Sequence, residues 1–239
     1  MLFWDRVLRG DFPRLEWHPA LPPIDRENLA EGSAGLRVEL GVGRQRIWCV
    51  AADGRRLVQL QADRMVYNVR RGPQPWALQP YRNRVAAFER WWGDLDRFLA
   101  GGSGNVVRPT VCELSYVNVI DVPPDASLRD WVWLPFSEAR GLHPEPAARW
   151  AFSTLLGGSG GAPTHRVQCT LNRMPMRDRR YQLSIVVYGA VSNPDRPGAV
   201  RDTLDACHNV CHDWFSRLTT AEARQAWNLD GSEDDDVGA

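Results

Sequence analysis

Two long amphipathic stretches dominate the hydrophobic pattern of the chain. Over Val200–Leu218 the apolar residues Val200, Leu204, Cys207, Cys211, Trp214 and Leu218 recur in alternating steps of four and three, and Phe215 widens the stripe. That spacing predicts a helix with one buried face. The segment from Tyr81 to Ala100 repeats the design, with Tyr81, Val85, Phe88, Trp92, Leu95 and Leu99 in line and Trp91 and Phe98 beside them. Gly101 is placed to end this helix in a left-handed cap. Each large apolar side chain fully buried contributes roughly 1.5–3 kcal/mol before entropy, so both stripes need a surface to pack on.

Ahead of each helix the pattern changes to period two, which predicts strands. In the first half these are Leu36–Leu40, Arg46–Val50, Leu57–Gln61 and a return from Arg64 through Arg71, with Ala52–Gly54 as a hairpin turn. Met65, Tyr67 and Val69 share one face of the last strand; Asn68 and Arg70 share the other. In the second half Val111–Ile120 is a strand with Cys112, Leu114, Tyr116, Asn118 and Ile120 on one side. Further strands start at His165 and Tyr181, and the segment from Arg149 is strand-like but ambiguous. Short helices are expected at Leu2–Leu8, at Leu128–Leu134 behind a Ser127 cap, and through Trp227 after a capping box at Thr219–Glu222. Between Leu8 and the first strand, Pro13, Pro19, Pro22 and Pro23 impose an extended, turning path.

The order is strands then one long helix, twice. The predicted fold is α+β, two similar halves, each an antiparallel sheet packed against one long amphipathic helix. The halves span residues 1–104 and 105–229, and residues 230–239 form an acidic tail. The glycine runs at Gly101–Gly104 and Gly157–Gly161 read as connectors, lacking the lysine of a phosphate loop.

Composition narrows the chemistry. The 239 residues are 44% hydrophobic and 24% charged, enough for a sizeable core. All 29 basic residues are arginine, which excludes Schiff-base, P-loop and general-base lysines. Net charge is zero, but five acids sit in the tail, leaving 29 basic against 24 acidic residues, a net of +5, in the body. That is below the basic stripe of a dedicated nucleic-acid binder. The odd set of five cysteines, all in apolar patterns, predicts reduced, buried thiols and a cytoplasmic setting. No signal peptide and no apolar run of membrane-spanning length is present in the sequence, so no membrane partner is expected.

Several segments resemble a sporadically distributed bacterial family of about 250-residue proteins with no established function. They are F-P-R-L-E at Phe12, Q-A-D-R-M-V-Y-N-V-R at Gln61–Arg70, the tyrosine-led helix from Tyr81, C-E-L-S-Y-V-N-V-I at Cys112–Ile120, and L-D-A-C-H-N-V-C-H-D-W-F-S-R-L-T-T from Leu204, followed by Trp227. The resemblance implies a further strand ahead of Met1, so that the first half is expected either to have one strand fewer or to have its start assigned late. It also implies a link to mobile-element or defence genes. The polar positions it singles out are Asp63, Arg64, Asn68, Tyr116, Asn118, Asp205 and His208, with no catalytic role attached.

On the residues themselves, Asn68 and Asn118 are unusual strand residues and read as ligand contacts or as amides tying strands together. Asp63 suits a turn, Arg64 a solvated face, and His208 a core histidine with one hydrogen bond. Cys207 and Cys211 stack on one helical face and are the candidate metal ligands, but they already belong to the apolar stripe. Their neighbours His208 and His212 point about 100° away, so the four cannot grip one ion. Arg173, Arg177, Arg179 and Arg180 form the one local basic cluster, on a hairpin that could meet phosphate. No nucleophile–base–acid spacing stands out, and no cofactor is expected.

These readings rank a non-catalytic binding or accessory protein, engaging a protein partner or a second copy, first. A nucleic-acid binder using Arg173–Arg180 and a cleft between the halves ranks second, and an enzyme third.

Overall fold

A computed structural model describes residues 3–21, 45–70, 80–103, 107–133, 150–157, 163–175 and 179–227. The expected strand at Leu36–Leu40, Arg177 and the acidic tail lie outside these residues. The fold is α+β. Close contacts divide the chain into two compact units, with a boundary between Arg108 and Pro109.

The first unit opens with a helical turn, Trp4–Leu8, and continues into strands β1 (Arg14–Pro19), β2 (Gln45–Val50), β3 (Arg56–Gln61) and β4 (Arg64–Val69). They form an antiparallel meander in the order β1-β2-β3-β4. The hairpin between β2 and β3 turns at Gly54, which has φ +68, and Asp53 accepts from the Arg55 and Arg56 amides. β1 lies where prolines predicted only an extended path. Pro13 precedes it and Pro19 closes it on the sheet edge, where a missing N–H is tolerated. Helix α1 (Tyr81–Ser103) packs on one face of the sheet, against Ile47, Cys49, Val58, Leu60, Met65 and Tyr67. Its centre is Trp91, 2% exposed, whose ring meets Phe12 and Tyr67 edge-on at 4.9 Å each. The predicted stripe had placed Trp91 at its margin.

The second unit holds β5 (Val111–Asp121), β6 (Trp150–Gly157), β7 (Pro163–Arg173) and β8 (Arg180–Ala190), antiparallel in the order β5-β8-β7-β6. The segment from Arg149 is thus a strand, its burial alternating along its length. The halves match in content but not in strand order. Helix α2 (Ala199–Leu218) lies on the face made by Cys112, Leu114 and Tyr116 of β5, Leu183, Ile185 and Val187 of β8, and Val167, Cys169 and Leu171 of β7. Trp214 reaches the outermost strand, 5.0 Å from Phe152. A short helix α3 (Ala221–Ala226) follows.

Three local expectations are corrected. Helix α1 does not stop at Gly101 but runs to Ser103. A helical glycine costs only about 1 kcal/mol, and the Asp96 carboxylate holds the Val107 amide at 3.3 Å, fixing the chain's exit farther on. The helix at Leu128–Leu134 is a single turn, Leu128–Asp130, closed by a reciprocal Ser127–Asp130 capping box. Val132 then bridges Thr219, and the Trp133 amide donates to Leu218 O at 3.0 Å, so tertiary pairing overrides local propensity. The last helix is capped by Thr220, not Thr219. Thr220 Oγ1 accepts from the Ala223 amide, while Thr219 Oγ1 donates back to Phe215 O at 2.7 Å.

Candidate functional site

Each sheet has a second face that its helix does not cover, and the two faces differ in chemistry.

On the second sheet, strand alternation sends Val117 and Val119 of β5 to the side opposite Tyr116 and Asn118. They are 58% and 51% exposed, and Leu155 on β6 is 39% exposed. Around them the face carries Ser115, Ser184, Val186, Gln168, Thr170 and Ser153. Among the described residues its charges are Glu113, Asp121, Arg166 and Arg180. Arg180 grips Asp121 through two bonds, and Arg166 Nε donates to Ser153 Oγ at 3.0 Å. β5 is also an edge strand. The result is an open sheet surface of balanced charge with branched apolar residues standing clear of it.

On the first sheet, the face away from α1 combines buried Val50 and Leu57 with a concentration of polar and aromatic side chains. β1 contributes Arg14, Glu16 and His18; β2 contributes Arg46 and Trp48; β3 contributes Gln59 and Gln61; β4 contributes Arg64 and Asn68. Trp48 is its centre. His18 stacks on the indole at 3.8 Å, and the Arg46 and Arg70 guanidinium carbons lie 5.2 and 5.4 Å from its ring centroid. Arg46 also donates to Gln59 Oε1 at 3.0 Å. Among the described residues Arg46 Nε, Trp48 Nε1 and Asn68 Nδ2 are buried here with no acceptor. A buried unmet donor costs about 1–3 kcal/mol, so three on one face is an unusual concentration.

The residues singled out by sequence are distributed between these places. Asp63 and Arg64 pair at 3.5 Å at the β3–β4 turn, and Asp63 also accepts from Gln61 Nε2 at 2.7 Å. Gln61 in turn bonds both the amide and the carbonyl of Leu21. Asn68 lies on the same face, opposite Leu57. In the second unit Tyr116 Oη and His208 Nδ1 share a hydrogen bond of 2.9 Å beneath α2. Asn118 stands opposite Leu183 on the same side of the sheet. Asp205 takes both contacts of an intrahelical pair with Arg201, at 3.0 and 3.1 Å. Arg46, Trp48, Val117 and Val119 were not singled out. The alternation of Arg46 with Trp48, and of Val117 with Val119, was the available signal.

The arginine hairpin is less available than its sequence suggests. Arg179 donates to the carbonyls of Val122 and Ala126, and Arg180 is held by Asp121. Arg173 ends β7 opposite Tyr181. Cys207 and Cys211 are fully buried, and Cys211 Sγ faces Leu114 O at 3.8 Å. Burial pushes the Cys49, Cys112, Cys169 and Cys207 thiols up to about 12, and Cys211 higher still. That opposes the thiolate needed for metal binding or nucleophilic attack. Among the described residues no group of three or more His, Cys, Asp or Glu is placed to hold a metal ion.

Comparison with protein-family models, with curated proteins and with solved structures gives no match. Among the described residues no helix is long and apolar enough to cross a membrane.

Proposed function

We propose that this chain is a non-catalytic binding protein that engages a protein partner through the outer face of its second sheet. The observation that carries the reading is the exposure of Val117 and Val119, 58% and 51%, side by side on an open sheet face whose charges balance. Isolated exposed apolar residues are common, but neighbouring ones on a flat strand surface mark contact sites. Covering a valine side chain fully is worth roughly 1.5–3 kcal/mol, enough to anchor a small interface. The charge balance selects the class of partner. With Asp121–Arg180 neutralised and Arg166 bound to Ser153, the face offers little to a polyanion and much to a protein surface. The nucleic-acid alternative depends on Arg173, Arg177, Arg179 and Arg180, two of which are already committed inside the chain.

The five buried free cysteines suit a reducing compartment such as the cytoplasm. The resemblance to a bacterial family of unknown function agrees with an accessory role and adds no chemistry.

The test is affinity capture from the native host with nuclease treatment and a high-salt wash, run on wild type and on a Val117→Glu, Val119→Glu variant. The expected result is a protein that survives both treatments with wild type and is lost from the variant, with unchanged circular dichroism. Equal retention by the variant, or capture that nuclease abolishes, overturns the reading.

A further inference from the structure

We infer that the face of the first sheet away from α1 is an oxyanion-binding site, taking a small molecule with a phosphate or carboxylate group at Trp48. Arg46 and Arg70 approach the same indole, at 5.2 and 5.4 Å from its centroid. Two guanidiniums within about 6 Å of one ring raise the positive potential around it, which a bound anion would offset. Among the described residues neither guanidinium is in ion-pair contact with a carboxylate. Among the described residues the acids on this face are engaged elsewhere, Glu16 with Arg14 at 3.2 Å and His18 at 3.4 Å, and Asp63 with Arg64 at 3.5 Å.

The unmet polar atoms are all donors. Arg46 Nε and Trp48 Nε1 come from alternate residues of β2, on the same side of the strand, and Asn68 Nδ2 adds a third from β4. β2 and β4 flank β3, and Asn68 lies across from Val50, two residues along from Trp48 and four from Arg46, so it stands roughly 12–16 Å from the β2 donors and outside their immediate site. A donor-only lining selects acceptor oxygens, and the planar Arg46 fork next to the indole donor fits two oxygens of one phosphate or carboxylate. A cation is excluded by the same charges. The inference concerns the first unit alone and is independent of the partner-binding face on the second.

Titration calorimetry at low ionic strength tests it with two probes, pyrophosphate and citrate, against sodium chloride of matched ionic strength. The expected result is saturable one-to-one binding of at least one probe, with chloride inert. Arg70→Gln and Arg46→Gln are each expected to weaken binding at least tenfold. The probe that binds more tightly identifies the phosphate or the carboxylate class. Because Arg70 is exposed, its variant keeps the fold and decides the matter even if Arg46→Gln is unstable. Absence of saturable binding by both probes, or affinities in folded Arg70→Gln equal to wild type, overturns the inference.

Discussion

The thiol of Cys207 lies 2.8 Å from where a Cβ on Gly189 would stand, and Thr203 Cγ2 is equally close. The glycine is therefore the point at which α2 settles onto β8. Any side chain there must lift the helix or move Cys207 and Thr203 aside, and it also crowds His165, whose Cδ2 is at 3.3 Å. Gly189→Ala is expected to cost about 1–3 kcal/mol in urea unfolding, as overpacking of a filled core does. Gly157→Ala, where a Cβ would meet nothing within 4 Å, is the control and is expected within about 0.5 kcal/mol of wild type.

The same contact gives a pH dependence. His165 is opposite Gly189 in the sheet, and burial lowers its pKa below the ordinary 6.5. The unfolded chain then binds this proton more readily than the folded one. Stability from this group is complete above pH 6.5 and is lost as the pH falls through the lowered folded value. Urea unfolding at pH 7.5 and 5.5 is expected to show a smaller loss on acidification in His165→Gln than in wild type. An equal loss removes His165 from the account.

The five cysteines make a chemical prediction. All are buried, and four have thiols pushed up to about 12. At pH 8 the thiolate fraction is on the order of one in ten thousand. An aromatic disulfide reagent is expected to label none of them in the folded protein within an hour and all five after denaturation. Rapid labelling of one equivalent would show that a thiol is open to solvent.

The junction of α2 and α3 is held by Thr220, which caps α3 and donates to Asp130 O at 2.6 Å. Thr220→Ala is expected to cost about 0.5–2 kcal/mol, the usual range for a lost N-cap. Thr220→Ser keeps the oxygen and is expected to lose much less.

The helices were legible because a four-three stripe admits no other element, and Leu204, Cys207, Cys211 and Leu218 are buried as that stripe requires. β1 was not legible. Its proline-flanked, charged sequence becomes a strand only because β2 offers it an edge to pair with. The turn after Ser127 was misread for a related reason, since the pairing of Val132 with Thr219 connects positions far apart in sequence. The side of the first sheet away from α1 was half visible. Asn68 stood out as an asparagine in a strand, whereas Arg46 and Trp48 looked ordinary until Arg70 was found on the same ring. Val117 and Val119 carry no sequence signal of exposure, which shows only in the structure, at 58% and 51%.

The most direct measurement for the partner-binding face is site-specific photocrosslinking in the native host, from a benzophenone side chain at position 117 and, separately, at position 180. The account predicts a discrete protein adduct from position 117 and no nucleic-acid adduct from position 180. A nucleic-acid adduct from position 180 with nothing from position 117 would contradict it.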